Sequence, residues 1–135
     1  MRTQVWQQVL AAEHAAVWTF GLLAARHESE AEALLLAQAH DVHRSRRDHA
    51  ELALRAAGET PVPSAPAYEL LAEEPLEAAL AVEQACATGY AALVAALTGE
   101  ERRWPANALT DAAARALGFR GSPEHFPGLD ELAGR

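Results

Sequence analysis

The chain has 135 residues, of which 50% are hydrophobic and 22% charged, with a formal net charge of −8. This length supports one domain with a buried core, and the acidic balance argues against nucleic acid or an anionic membrane as a partner, because both attract positive surfaces. The single cysteine, Cys86, excludes an internal disulfide and suits a reducing cytoplasm, which is the expected location.

The sequence favours an all-α fold, because alanine, the strongest helix former, supplies much of the apolar fraction and no long alternating strand pattern occurs. The first predicted helix covers about residues 3–27. The second begins after an N-cap at Ser29, with Glu32 at the spacing of a capping box, and ends near Ala57. No stretch approaches the roughly 20 apolar residues of a membrane span.

A proline-rich segment, Glu59 to Glu74, separates the second helix from the third and is unusually long for a connection in a compact domain. A crossover explains its length, because parallel second and third helices require the chain to travel the length of the bundle between them. The third helix is predicted from Pro75 to about Leu97 and the fourth from Pro105 to Leu117. We expect a bundle over residues 1–120 and an irregular tail packed on it over residues 121–135.

The first and third helices repeat one pattern at an offset of 70 residues, in which Glu13 corresponds to Glu83 and Phe20 to Tyr90. Both glutamates lie inside apolar stripes with three- and four-residue steps. A carboxylate at such a position is costly unless a partner compensates for it.

The second helix offers partners for these glutamates, because His40, His43 and Arg47 follow the same stepping between apolar residues. One interpretation is a metal site for iron, manganese or zinc, with the ligands Glu13, His40, His43 and Glu83. The other is a metal-free structural core network that includes Arg47 and Tyr90, with no bound cofactor.

The fourth helix favours the network, because it leaves a di-metal site without the ligands to complete it. A ferritin-like di-metal site takes a glutamate from each of two helices and a Glu-x-x-His pair from each of the other two. The second helix has His40 where that glutamate is needed. The positions of the fourth helix at the same offset are Thr110 and Ala113, which offer no ligand.

Short motifs in a particular order extend over nearly the whole chain. They are Glu13-His14-Ala15-Ala16-Val17, His43 with Arg46-Arg47-Asp48, Ala67-Tyr68, Glu83 with Tyr90, and Phe126-Pro127-Gly128. In this order and spacing the chain resembles a family of small bacterial ferritin-like domain proteins of unassigned function. The resemblance implies a ferritin-like antiparallel four-helix bundle with a long crossover between helices 2 and 3, and it brings no established activity.

Two functions remain open from the sequence. The first is a ferritin-like protein that acts by binding or assembly around a degenerate, metal-free core site, and the second is a metal-binding protein with an oxidoreductase or metal-handling role. No catalytic or cofactor-binding residue stands out. Trp18 and Leu22 form a second apolar edge on the first helix. We expect the second helix, the tail or a second subunit to cover this edge, and a homodimer is the predicted assembly.

Overall fold

The computed structural model describes residues 2–26 and 29–120, and four α-helices account for most of them. They are α1 (Arg2–Ala25), α2 (Glu30–Ala56), α3 (Pro75–Ala96) and α4 (Arg103–Arg120), with a short 3₁₀ helix, Gly99–Arg102, before α4. No strand occurs in the described ranges. The prediction of an all-helical protein with four helices is therefore confirmed, whereas the predicted tail at 121–135 lies outside the described residues.

Local sequence signals explain where α2 and α3 begin. The hydroxyl of Ser29 accepts the Glu32 N–H at 3.2 Å and caps α2, as predicted. Pro75 is the first residue of α3, where its missing N–H costs nothing. The predicted bounds of α4 were wrong, because the helix begins two residues before Pro105 and continues through Gly118 to Arg120. Pro105 fits within the first turn, whose N–H groups have no partner inside the helix.

Helices α1 and α3 are antiparallel neighbours that pack closely. The Cys86 sulfur on α3 lies 3.7 Å from the carbonyl oxygen of Ala12 on α1, and Gly89 lies against Val9. A Cβ atom at Gly89 would come within 3.1 Å of the Val9 side chain. The absence of a side chain at Gly89 therefore lets the two helices approach each other next to Glu13.

Helix α4 runs in the same direction as α1, and aromatic side chains join the two helices at both ends. Trp104 packs on Trp6 with ring centroids 5.3 Å apart, and Phe119 packs on Phe20 at 5.8 Å. The buried residues of the four helices form one continuous hydrophobic core between these two aromatic contacts.

The long connection between α2 and α3 lies along α1. Gln7 accepts the Val62 N–H at 2.8 Å, the Nε2 atom of His14 lies 2.9 Å from the Val62 carbonyl oxygen, and Tyr68 packs on Trp18 with centroids 6.2 Å apart. Since the chain returns in this way to the end of the bundle where α2 began, α2 and α3 run parallel. The connection also covers Trp18. A second subunit is therefore not needed to cover this side chain.

Helix α3 is more apolar than the sequence led us to expect. Among the described helices it is the one with the length and hydropathy of a membrane span, with a mean hydropathy of 1.3 over its most apolar 18 residues. It also carries the buried Glu83 and packs against both α1 and α4. A central position in the bundle therefore also explains why α3 is so apolar.

Candidate functional site

Three helices each place one ionisable side chain at the same point in the core. His43 on α2 lies between Glu13 on α1 and Glu83 on α3, and all three side chains are fully buried. The Nδ1 atom of His43 is 2.6 Å from Glu13 Oε2, and its Nε2 atom is 2.9 Å from Glu83 Oε2. Each ring nitrogen therefore faces a separate carboxylate.

Apolar neighbours fix the orientation of the His43 ring. Phe20, about two turns beyond Glu13 on α1, stacks on the imidazole with centroids 5.2 Å apart and planes only 10° from parallel. On α2 the buried residues are Leu36, Ala39, His43, Ala50 and Leu54, which lie on one face at helical spacing. The histidine thus occupies a core position of an otherwise apolar stripe.

Tyr90 and Arg46 extend the site around Glu13. The Tyr90 hydroxyl donates to Glu13 Oε1, the oxygen that His43 leaves free. The Arg46 guanidinium lies over the Tyr90 ring, 5.0 Å from its centroid, and donates to the Ala108 carbonyl at 2.9 Å. Both oxygens of Glu13 therefore have a donor.

Helix α4 completes the site with Asp111 and Arg115. The Arg115 guanidinium lies 3.5 Å from Glu83 Oε1 and 2.6 Å from Asp111. Asp111 also accepts from Arg46 at 2.7 Å, so it joins α2 to α4. These groups form what we call the His43 network, which consists of Glu13, His43, Arg46, Glu83, Tyr90, Asp111 and Arg115.

The environment of His43 favours its protonated form. Burial alone would lower its pKa, but the hydrogen bonds to Glu13 and Glu83 outweigh burial, and the pKa is raised well above the usual value. Burial also raises the pKa of Tyr90, and the nearby Glu13 raises it further. The tyrosine therefore stays a neutral hydrogen-bond donor.

The charges of the His43 network balance once His43 is an imidazolium. The positive groups are His43, Arg46 and Arg115, and the negative groups are Glu13, Glu83 and Asp111. Charges in a protein core are tolerated when they are paired and hydrogen-bonded in this way.

Cys86 is the nearest additional group with metal-ligand chemistry. One donor atom each from Glu13, His43 and Cys86 lie within 4.8 Å of one another, and all three residues are buried. Burial, with the negative charge of Glu13 as a second cause, raises the pKa of the Cys86 thiol to about 12. The sulfur is therefore a protonated thiol at neutral pH.

The structure brings together three of the four predicted metal ligands and one of the two predicted network residues. Glu13, His43, Glu83 and Tyr90 meet, but His40 is partly exposed, with its Nδ1 atom 4.0 Å from Asp41 on the helix surface. Its inclusion in the site was wrong.

The placement of Arg47 in the core was also wrong. Its guanidinium is bound by the adjacent Asp48 at 2.9 Å near the surface. One residue along a helix turns the side chain by about 100°, so Arg46 faces α4 instead.

Sequence reasoning missed Arg46, Asp111 and Arg115. A signal for the pair on α4 existed, because Asp111 and Arg115 are four residues apart, a spacing at which opposite charges meet on a helix. The alanines at 108, 112 and 116, which are buried on the same helix, mark the face beside which this pair lies.

The fold and the site define an all-helical protein whose core holds a charge-balanced histidine–carboxylate network. The chain belongs to the family described as a domain of unknown function (DUF4439), whose model matches residues 5–131. It is similar to the crystal structure of a conserved hypothetical protein, rv2844, from Mycobacterium tuberculosis, with 28% identity and a TM-score of 0.82 over 89% of this chain and 88% of that chain. No curated protein matches the chain significantly.

Proposed function

We propose that this protein is a ferritin-like bundle that acts by binding or assembly, with a metal-free ion network in the position of a metal site. The observation that carries the proposal is that both ring nitrogens of His43 are hydrogen-bonded to carboxylates. They lie 2.6 and 2.9 Å from Glu13 and Glu83, respectively. A histidine ligates a metal through a nitrogen lone pair. An imidazolium that donates from both nitrogens has none to offer.

The architecture supports the ferritin-like assignment. A four-helix bundle with one long crossover connection is characteristic of ferritin-like folds, and here the connection between α2 and α3 follows α1. The glutamates of the repeat, Glu13 and Glu83, are buried at matching positions of α1 and α3.

Arg115 argues further against a cation in the core. Its guanidinium, permanently charged, lies 3.5 Å from the one oxygen of Glu83 that His43 does not bind. A metal at this carboxylate would have to displace Arg115 and overcome its repulsion. The fourth helix therefore contributes a cation where a ferritin-like metal site needs a ligand.

Metal content tests the proposal directly. Purified protein, reconstituted with iron, manganese or zinc and then desalted, should retain far less than one ion per chain, and the double variant Glu13→Gln, Glu83→Gln should retain no less. His40→Ala is the matched control, because it removes a histidine of the same helix that lies outside the network. Near-stoichiometric metal that disappears in the double variant but persists in His40→Ala would overturn the proposal.

A mononuclear metal site is the second candidate, and the cluster of Glu13, His43 and Cys86 donor atoms favours it. Carboxylate, imidazole and thiolate together suit zinc, and iron and manganese remain the alternatives for the carboxylates and the histidine. Binding would have to release the protons of His43 and Cys86. Cobalt(II), used as a probe for zinc, should then give a thiolate charge-transfer band that Cys86→Ser removes, and no such band is expected if the network is metal-free.

Assembly and location belong to the same proposal. We propose a homodimer in the cytoplasm, with leucines such as Leu34 and Leu52, 61% and 67% exposed, available for contact with a second copy. Light scattering at micromolar concentration should give twice the monomer mass. A monomer mass would leave binding of another molecule as the remaining form of the proposed function.

A further inference from the structure

A groove of about 580 Å³ opens at the end of the bundle where α1 and α4 begin and α2 ends. Its floor consists of small or apolar side chains, among them Ala53 on α2 and Leu97 after α3. Because the alanines of α2 reach only to Cβ, the space between the helix ends stays open. The volume lies in the range that accommodates small molecules, about 300–1,000 Å³.

Aromatic rings form one wall of the groove. His49 stacks on Trp104 with centroids 4.3 Å apart and planes 9° from parallel, and Trp6 packs against both rings, at 5.9 Å from His49 and 5.3 Å from Trp104. His49 remains exposed to solvent despite these contacts, whereas Trp6 is buried. A flat ring surface therefore borders an open apolar space.

The charges around the groove are already neutralised. Arg2 binds Glu101 at 2.7 Å, and Arg103 binds Glu100 at 2.8 Å, so each charged group at the rim has an opposite charge beside it. Burial lowers the pKa of His49 below its usual value, which leaves the imidazole neutral at neutral pH. Among the described residues that line the groove, the charged side chains are thus compensated, and none offers a net charge to an ionic ligand.

We propose that this groove binds a neutral, planar aromatic small molecule, which stacks against the His49–Trp104 wall. Ring stacking supplies the orientation, the apolar floor supplies the buried area, and the uncharged imidazole offers a hydrogen-bond partner for one hydroxyl or amide group of the ligand. The groove shares no residue with the His43 network, although the Trp104 ring meets the Tyr90 ring edge-on at 5.9 Å. Either proposal can therefore fail without the other.

Titration with 2-naphthol, a neutral planar probe with one hydroxyl, tests this site in the intact chain by NMR of the tryptophan indole N–H signals. We expect saturable shifts of the Trp6 and Trp104 signals and no shift of Trp18, which lies beside the connection. Cyclohexanol, neutral but not planar, and 2-naphthalenesulfonate, planar but charged, should each bind at least fivefold more weakly.

Two variants within the groove and one control outside it locate the site. Ala53→Trp should fill the groove and remove binding, whereas Leu52→Trp, at the neighbouring exposed position, should leave it unchanged. His49→Ala, which keeps the groove open but removes one stacked ring, should weaken binding at least fivefold. Equal affinity for cyclohexanol or the sulfonate, shifts confined to Trp18, or no saturation at millimolar 2-naphthol would overturn the proposal.

Discussion

His43 lies at full burial between two carboxylates, and the consequences of the core site follow from this one ring. An ion pair in a core is expensive to desolvate, so its presence does not by itself make the fold more stable than an apolar core would. Loss of one partner is different, because it leaves a charge buried without compensation. We therefore expect the residues of the His43 network to tolerate substitution poorly.

The protonation of His43 is directly measurable. We expect both ring nitrogens of His43 to carry protons at neutral pH, above the usual histidine pKa of about 6.5, because each donates to a carboxylate. Nitrogen-15 chemical shifts of the imidazole report this state. His49, whose pKa is lowered by burial, is the internal control and should be neutral under the same conditions.

The hydroxyl of Tyr90 gives a second prediction for a single residue. Tyr90→Phe keeps the buried ring but removes the donor to Glu13 Oε1, and a buried charged acceptor left without its partner should lower the free energy of unfolding by about 1–3 kcal/mol. Urea unfolding at neutral pH measures the loss.

Tyr68→Phe is the matched control for that substitution. It removes a hydroxyl that accepts the neutral Ala65 N–H, at 2.8 Å, on the less buried connection. The loss should stay below about 1 kcal/mol. Equal losses in the two variants would contradict a special role for the Tyr90–Glu13 hydrogen bond.

The buried stripe of α2 shows how far the sequence determines the site at the level of an element. Two sets of core positions on α2 fit three- and four-residue steps through Leu36, His43 and Leu54. They differ at two positions, which are 40 or 39 and 47 or 46. We predicted the series with His40 and Arg47, whereas the structure buries Ala39 and turns Arg46 towards α4. Ala39 favours the observed series, because a small apolar residue fits the core better than histidine.

The repeat on α1 and α3 predicted more of the site than the α2 pattern did, because it places particular polar residues at core positions. Glu13, Glu83 and Tyr90 each occur once in an apolar stripe, so their burial and their need for partners could be inferred from the sequence. Arg115 could not be placed in the same way. It contacts Glu83 from a helix whose bounds were predicted wrongly, and only tertiary packing of α4 brings the two together.

The connection between α2 and α3 depends on Gln7, whose side chain accepts the Val62 N–H and donates to the Thr60 carbonyl, both at 2.8 Å. Gln7→Ala removes both bonds, at a cost of about 1–2 kcal/mol in local stability. Hydrogen exchange of the Val62 amide should accelerate while the amides of α1 and α3 keep their protection. Gln8→Ala, at the next and exposed position, should leave the Val62 amide unchanged.

At the scale of the whole molecule, the raised pKa of His43 links stability to pH. In the folded protein His43 keeps its proton above about pH 6.5, the value at which it titrates when unfolded. The stabilising contribution is therefore complete below about pH 6.5 and is lost as the pH rises through the folded pKa. The free energy of unfolding should fall in this window by up to about 1.4 kcal/mol per pH unit.

Urea unfolding at several pH values above about 6.5 measures this slope. A free energy of unfolding that does not change with pH in this range would contradict a protonated His43 in the native protein. The nitrogen-15 shifts of the imidazole would then independently show a neutral ring.

The hydrogen bonds of His43 join residues 30 and 40 positions away along the chain, which has a consequence for folding. They form only after α1, α2 and α3 have docked, and a partly docked bundle would carry buried charges without partners. Such intermediates are penalised, so we expect α1, α2 and α3 to unfold together as one cooperative unit. Interactions that form late in folding act mainly on the unfolding rate. The network should therefore slow the unfolding of the bundle more than it speeds its folding.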